Sequence, residues 1–177
     1  MERILNNYNL QGISVLLVEQ HDFMRRIIRQ ILRELGMRAI RETGDADTAY
    51  QIFLKESVDL VLTDWAPTLD GIYLLDKIRK SAESPNPFVP IVVVTANTEI
   101  RHVCHARDHG MTEYLAKPVS AKLIYQRICT VIERHRVFIK NRDFFGPDRR
   151  RRSLRWTGDE RRLYMPAEAP ASQAVWS

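Results

Sequence analysis

Short apolar segments alternate with longer segments of helical periodicity along most of this sequence, and this alternation most strongly limits the possible folds. Each apolar segment is rich in β-branched residues and too short for a helix, which predicts a buried strand. The predicted strands are 13–18, 37–41, 58–63, 91–95 and 112–116. The predicted helices cover about 22–35, 45–53, 72–78, 98–109 and 120–138. Five such units predict an α/β fold, a doubly wound five-stranded parallel sheet with helices on both faces.

Residues that start and stop helices mark several of these boundaries. Asp22 and Asp45 are candidate N-caps of the first and second helices, because their side chains can accept hydrogen bonds from free backbone amides. Gly36 and Gly110 are candidate stops, since glycine readily adopts the left-handed conformation that ends a helix. The same pattern divides the chain into an N-terminal extension, a folded domain and a tail.

The composition favours a globular cytoplasmic protein. The chain has 177 residues, of which 45% are hydrophobic and 28% charged, and this excludes a chain disordered throughout. Cys104 and Cys129 are the two cysteines, so no disulfide framework is expected and a reducing cytoplasm is favoured. The apolar run at 88–96 is far shorter than the roughly 20 residues of a membrane helix. We expect neither membrane insertion nor a secretory signal.

Polar side chains follow four of the predicted strands. Glu19 and Gln20 follow the first strand, and Asp64 follows the third. Thr95 ends the fourth strand, and Lys117 follows the fifth. Because sites in parallel sheets form beyond the carboxyl ends of the strands, these side chains are expected to meet at one edge.

Two carboxylates, a hydroxyl and an ammonium group can together handle a phosphoryl group and a divalent cation. Asp64 can act as the nucleophile and form an acyl phosphate. Mg²⁺ commonly uses one or two carboxylates, which Glu19 and Asp64 can supply. Lys117 can balance charge on the phosphoryl oxygens, and Thr95 can donate a hydrogen bond to one of them. A phosphatase-type enzyme with an aspartate nucleophile would normally carry a second aspartate two residues later, where this sequence has Ala66.

The order and spacing of four motifs resemble the receiver domain of response regulators in two-component signalling. The motifs are VLLVEQ at 15–20, DLVLTDWAPTLDG at 59–71, IVVVTA at 91–96 and YLAKPV at 114–119. Each motif alone is weak, but together they are specific and span about residues 11–138. The resemblance implies a flavodoxin-like receiver fold in a single-domain, chemotaxis-type response regulator. It implies a phosphorylation-dependent switch rather than an enzyme. A histidine kinase or phosphotransfer protein would donate the phosphoryl group, and the switch would act through protein–protein contacts.

The resemblance also implies roles for individual residues. Asp64 is the implied phosphoacceptor, Lys117 the lysine of the site and Thr95 the switch hydroxyl. Tyr114 matches the aromatic residue that changes rotamer when this hydroxyl moves toward the phosphate. A cis bond between Lys117 and Pro118 is implied, as X-Pro chemistry permits. The implied surface for an unknown downstream protein consists of the fourth helix, the fifth strand and the fifth helix.

The implied Mg²⁺ site departs from the family pattern at one ligand. Its protein ligands are Glu19, Asp64 and the backbone carbonyl of Ala66. Gln20 stands where the family usually has a second acid in contact with the metal. A neutral amide removes one negative charge from the cluster, so weaker Mg²⁺ binding is predicted.

The loop after Asp64 is a second departure. Pro67 and Gly71 each come one residue earlier than in the family pattern. A shorter loop can move the Ala66 carbonyl away from its ligand position. An alternative function is therefore a degenerate receiver that acts as a phosphate-independent interaction module. Because the aspartate, the hydroxyl and the lysine are all retained, we favour a working phosphoacceptor.

Three histidines share one face of the predicted fourth helix. His102, His105 and His109 are three and four residues apart, which places them on one side. No strong carboxylate or thiolate partner is obvious, so a metal site is not favoured. We expect a polar, exposed face that responds to pH.

The net charge of +5 is concentrated in the tail. Residues 139–177 carry 9 of the 27 basic and 5 of the 22 acidic residues. The segments FFGPDRRRR at 144–152 and WTGDERR at 156–162 resemble each other, and GPDRR-type tails occur on some stand-alone receivers.

We divide the chain into an N-terminal extension (1–10), a receiver domain (11–138) and a basic, largely irregular tail (139–177). The alternatives to a disordered tail are a short motif that docks on a protein partner and a nucleic-acid-binding segment. Nucleic acid is the least favoured, because acidic residues dilute the charge and no recognition fold is evident.

Overall fold

The computed structural model describes residues 8–65, 71–96, 98–133, 136–141, 144–148 and 163–165. Five strand–helix units follow one another, as the sequence predicts. The strands are β1 (Ser14–Val18), β2 (Ala39–Thr43), β3 (Leu60–Asp64), β4 (Ile91–Thr95) and β5 (Glu113–Ala116). The helices are α1 (Asp22–Glu34), α2 (Ala46–Lys55), α3 (Gly71–Lys80), α4 (Ile100–Asp108) and α5 (Ala121–Glu133). None of the helices in the described ranges is long and apolar enough to cross a membrane.

The five strands form one parallel sheet in the order β2-β1-β3-β4-β5. Helices α1 and α5 cover one face, and α2, α3 and α4 cover the other. In β1, Val15 and Leu17 point to the first face, whereas Leu16 and Val18 point to the second. Burial on both faces explains why β1, β3 and β4 are almost continuously apolar, whereas the edge strand β2 is partly exposed and carries Arg41 and Glu42. The predicted doubly wound (βα)₅ fold is confirmed.

The predicted second-helix cap and the two glycine stops are confirmed. Asp45 precedes α2 and accepts a hydrogen bond of 2.7 Å from the backbone amide of Thr48. This bond lowers the pKa of the Asp45 carboxyl. Gly36 and Gly110 have φ angles of 97° and 89°, which other residues rarely adopt.

Two predicted boundaries, the start of the first helix and the start of the second strand, differ from those in the structure. His21, not Asp22, occupies the N-cap position of α1 and makes no side-chain cap. Asp22 lies inside the first turn, where its carboxylate pairs with Arg25. Met37 is fully buried in the core on the α1 and α5 face, and pairing with β1 begins only at Ala39.

Residues beyond α5 form strands that the sequence did not predict. Helix α5 ends at Glu133, and three short strands follow. They are β6 (Phe138–Lys140), β7 (Phe145–Pro147) and β8 (Leu163–Met165), in the antiparallel order β7-β6-β8. The rings of Phe138 and Phe145 lie 5.0 and 5.3 Å from that of Phe88, between centroids. These aromatic side chains are therefore part of a packed cluster. The prediction that the fifth helix extends to Phe138 is wrong, since Phe138 begins β6, and Phe145 lies in a strand rather than in an irregular tail.

The described end of the N-terminal extension packs on the domain. Leu10 is fully buried in the core beside α1 and α5. The Tyr8 hydroxyl donates a hydrogen bond of 3.0 Å to Oε1 of Glu133. The chain is thus anchored to α5 before β1 begins.

Candidate functional site

The four predicted strand-end residues lie at the carboxyl edge of four adjacent strands. Glu19 follows β1, Asp64 ends β3, Thr95 ends β4 and Lys117 follows β5. Glu19, Asp64 and Thr95 are only 1%, 4% and 2% exposed. Buried polar groups need partners, so their contacts define the site.

Lys117 brings the two carboxylates together. Its Nζ lies 2.6 Å from Oε2 of Glu19 and 2.9 Å from Oδ2 of Asp64. Burial opposes the charge on the ammonium group, but the hydrogen bonds and negative charges of Glu19 and Asp64 outweigh it and raise the pKa of Lys117. Lys117 is therefore a cation across the physiological pH range. The Lys117–Pro118 peptide bond is cis, as predicted.

The backbone of Trp65 connects Asp64 to Thr95. The Trp65 amide donates a hydrogen bond of 2.7 Å to Oδ1 of Asp64. The Thr95 hydroxyl donates a hydrogen bond of 2.9 Å to the Trp65 carbonyl. The hydroxyl must leave this carbonyl before it can donate the same proton to a phosphoryl oxygen.

The indole of Trp65 packs on α4. Its ring centroid lies 5.1 Å from that of His102 and 5.6 Å from that of His105. The rings of His105 and His109 are 4.6 Å apart, and Nδ1 of His109 lies 2.9 Å from Oδ1 of Asp76 in α3. The histidines expected on one exposed face are thus partly engaged with α3 and with the residue after Asp64. Among the described residues, no three His, Cys, Asp or Glu side chains gather into a metal cluster.

Glu19 is held by the start of α1. Its Oε1 accepts a hydrogen bond of 3.0 Å from the His21 amide. Its backbone carbonyl accepts one of 2.7 Å from Nη1 of Arg25, which also pairs with Asp22. Neither Trp65 nor Arg25 is singled out by the sequence analysis. Arg25 lies in the first helix, six residues after Glu19, and this spacing is a weak signal that could have indicated its contact with the site.

The remaining predicted residues are placed as follows. Gln20 is exposed beside Glu19, and Tyr114 is half-buried against the core on the α2, α3 and α4 face. Burial raises the pKa of the Tyr114 phenol. Ala66 lies outside the described residues.

The chemistry of the site fits Mg²⁺. Glu19 and Asp64 supply oxygen ligands of the type that Mg²⁺ prefers, and both converge on one position that already attracts a cation, the Lys117 ammonium. Two carboxylates with several waters suffice for this ion. Glu19 and Asp64 would therefore hold it, and Lys117 would share their negative charge with it.

We expect Gln20→Asp to tighten Mg²⁺ binding at least about tenfold, because an added unit charge within a few ångströms contributes a few kcal/mol before desolvation offsets part of it. Gln20→Asn is the matched control, since it has the size of the aspartate without its charge. Isothermal titration calorimetry with Mg²⁺ measures both variants. Equal affinities for the two variants would contradict the prediction that the neutral Gln20 amide weakens Mg²⁺ binding.

Comparison with protein families and curated proteins gives concordant matches. Residues 15–129 match the response regulator receiver domain. The chemotaxis protein CheY-3 of Vibrio cholerae is 33% identical over 135 residues, which cover 76% of this chain and 99% of that protein. The chemotaxis protein CheY of Pseudomonas aeruginosa is 32% identical over 123 residues, which cover 69% and 98%.

Solved structures agree with the match to the receiver domain. The receiver domain of a sensor histidine kinase from Pseudomonas aeruginosa PAO1 has a TM-score of 0.58 and 32% identity, covering 67% of this chain and 95% of its own. That structure has a magnesium ion coordinated in its active site cleft. A response regulator receiver domain protein from Clostridium thermocellum, at 24% identity and a TM-score of 0.60, shows the same fold over 68% of this chain and 94% of its own.

Family match, identity and fold agree with the geometry at the strand ends. Members of this family are regulators rather than conventional enzymes, they use Mg²⁺, and they receive phosphoryl groups from histidine kinases or phosphotransfer proteins. The chain therefore belongs to the response regulator receiver domain family and is a phosphorylation-dependent signalling switch.

Proposed function

We propose that Asp64 is the phosphoacceptor of this switch. The contact of one ammonium group, that of Lys117, with both Asp64 and Glu19 carries the proposal. A carboxylate oxygen of Asp64 attacks the phosphorus of a phosphohistidine, an acyl phosphate P–O bond forms and the P–N bond breaks. The imidazole leaves with the electron pair and takes up a proton. The chain's part is to orient the carboxylate and to offset the added negative charge.

Each neighbour of Asp64 has a part in this proposal. Glu19, Asp64 and the backbone carbonyl of Ala66 would hold Mg²⁺, which would supply charge neutralisation on the phosphoryl oxygens. Lys117 provides a second cation on the same oxygens. Thr95 leaves the Trp65 carbonyl and donates to the phosphoryl group. Gln20 is at most a weak metal ligand, as its neutral amide and its exposure indicate.

Phosphorylation is communicated to other proteins through a change at the protein surface. Tyr114 lies on β5, three residues before Lys117. Movement of Thr95 is passed to the Tyr114 ring and from there to the surface formed by α4, β5 and α5. A downstream protein binds there. Nucleic acid is not the proposed partner, because several arginines in the described ranges are paired with acids, as Arg29 is with Glu42.

Two further features belong to this proposal. The chain promotes no reaction other than its own phosphorylation and dephosphorylation. Its location is the cytoplasm, as the cysteine usage indicates, since Cys104 and Cys129 are both free thiols.

Labelling with a small phosphodonor tests the proposed phosphoacceptor. With acetyl phosphate and Mg²⁺ we expect one phosphoryl group per chain, removed by hydroxylamine as an acyl phosphate is, and mapped by mass spectrometry to the peptide that contains Asp64. Chelation of Mg²⁺ is expected to prevent the labelling. A wild-type chain that stays unlabelled would favour a phosphate-independent interaction module instead, and a label on another residue would overturn the assignment.

A further inference from the structure

The backbone of Trp65 contacts both the candidate phosphoacceptor and the candidate switch hydroxyl. The Trp65 amide holds Oδ1 of Asp64 at 2.7 Å, and its carbonyl holds Oγ1 of Thr95 at 2.9 Å. A shift of the Trp65 backbone therefore changes both contacts at once. Whatever holds Trp65 in place also sets how readily the hydroxyl is released.

The peptide between Asp64 and Trp65, which carries the amide that binds Asp64, is confined on one side by the first residue of α3. A Cβ atom on Gly71 would lie 2.7 Å from the Asp64 carbonyl oxygen and 3.5 Å from the Trp65 Cα. Real Cβ atoms essentially never come so close to a backbone atom, so α3 begins in direct contact with the Asp64–Trp65 backbone. The peptide has little room to move toward α3.

The other restraint is the indole, which rests on two imidazoles of α4. His102 meets it edge-on at 5.1 Å, and His105 stacks on it at 5.6 Å, between ring centroids. Both geometries are favourable aromatic arrangements. The His105 imidazole is itself held in place, because it contacts His109 and His109 is bound to Asp76 of α3. Lys80 of α3 also binds Asp76, at 2.7 Å.

From these contacts we infer that His102 and His105 are positioning residues that hold Trp65 in the resting arrangement and thereby retain the Thr95 hydroxyl on the Trp65 carbonyl. This inference rests on the proposed function, since it concerns release of the hydroxyl toward a phosphoryl group on Asp64. It assigns a role to the histidine-bearing face of α4 that differs from that of a partner-binding surface. Removal of the two imidazoles frees the Trp65 backbone and favours the phosphorylated arrangement.

Beryllofluoride, which mimics a phosphoryl group on a carboxylate, tests this inference in the full-length chain with Mg²⁺. The double variant His102→Ala/His105→Ala is expected to bind it roughly two- to tenfold more tightly than wild type, the range that loss of one to two aromatic contacts allows. His102→Phe/His105→Phe keeps two rings under the indole and is expected to restore the wild-type affinity. Arg101→Ala, an exposed position of α4, is the matched control with unchanged affinity. Affinity is measured by fluorine NMR, and urea unfolding checks that all variants are folded.

A double-mutant cycle with Thr95→Val separates positioning from a purely structural effect. Without the hydroxyl there is nothing for Trp65 to retain, so loss of the imidazoles should no longer change beryllofluoride affinity. Equal affinity of wild type and the double alanine variant, or an equal gain in the Thr95→Val background, would overturn the inference. Failure of the wild-type chain to bind beryllofluoride at all would instead refute the proposed function. The two failures are thus distinguishable.

Discussion

Replacement of Asp64 by asparagine is expected to abolish labelling by acetyl phosphate. The amide has the size of the carboxylate but is not a nucleophile toward phosphorus, so the rate should fall by several orders of magnitude. The change also removes the negative charge that Oδ2 offers to Lys117, while Glu19 continues to hold the lysine. The variant should therefore fold, and mass spectrometry after incubation with Mg²⁺ and acetyl phosphate measures the loss.

Asp59→Asn is the matched control for this experiment. Asp59 lies just before β3, at the opposite end of the strand from Asp64, and its Oδ2 accepts a hydrogen bond of 2.9 Å from the Ser14 amide. An asparagine can accept the same bond, so labelling should continue at the wild-type rate. Continued labelling of Asp64→Asn, or equal loss in both variants while circular dichroism shows native structure, would contradict the assignment of the phosphoacceptor.

The residues of the site could be predicted because the carboxyl ends of all strands in a parallel sheet lie at one edge, so the sequence pattern also fixes their location. Any residue that ends a strand of such a sheet lies at the same edge, whatever its distance along the chain. Lys117 is 98 residues from Glu19 and 53 from Asp64, yet its Nζ touches both carboxylates. The buried strands themselves were visible as β-branched runs bounded by polar residues and turns.

The contacts of Trp65 could not be predicted in the same way. They use a backbone amide and a backbone carbonyl, which every residue other than proline possesses and which leave no signal in the sequence. The indole reaches His102 and His105 because Trp65, just after β3, and helix α4 pack into the same core on one face of the sheet. Three histidines at helical spacing predict a shared face, but not which residue lies against it.

The strands after α5 were missed for a related reason. Composition after residue 139 is dominated by arginine, so the local pattern is typical of an irregular tail. What orders β6 and β7 is contact with distant parts of the domain: a Cβ atom on Gly146 would lie only 2.7 Å from the Gly110 Cα. This approach of two glycines to each other follows from tertiary packing and has no counterpart in local sequence periodicity.

Arg79 contacts both the Gly110 carbonyl and the ring of Phe138 in this region. It is 3% exposed, and the described contacts bind it to neutral acceptors rather than to a carboxylate. Its Nη1 donates to the carbonyls of Pro87 and Val89 at 2.7 Å each, and its Nε donates to that of Gly110 at 2.9 Å. The ring of Phe138 in β6 covers the guanidinium, with the centroid 5.2 Å from Cζ. Burial lowers the pKa of Arg79 to about 9, which leaves it charged at neutral pH.

We expect Arg79→Met to lower the free energy of unfolding by about 3–5 kcal/mol, because it removes the donor from two buried carbonyls and one partly buried carbonyl while filling a similar volume. Urea unfolding followed by circular dichroism measures the change. Lys80→Met is the matched control: that residue is exposed and its pair with Asp76 contributes less than about 1 kcal/mol. Since the guanidinium supports Phe138, amide hydrogen exchange in β6 should accelerate only in the Arg79 variant. Equal stability of the two variants would show that the desolvation free energy of the buried guanidinium cancels the stabilisation from its hydrogen bonds. The strands after α5 would then be held by their aromatic contacts alone.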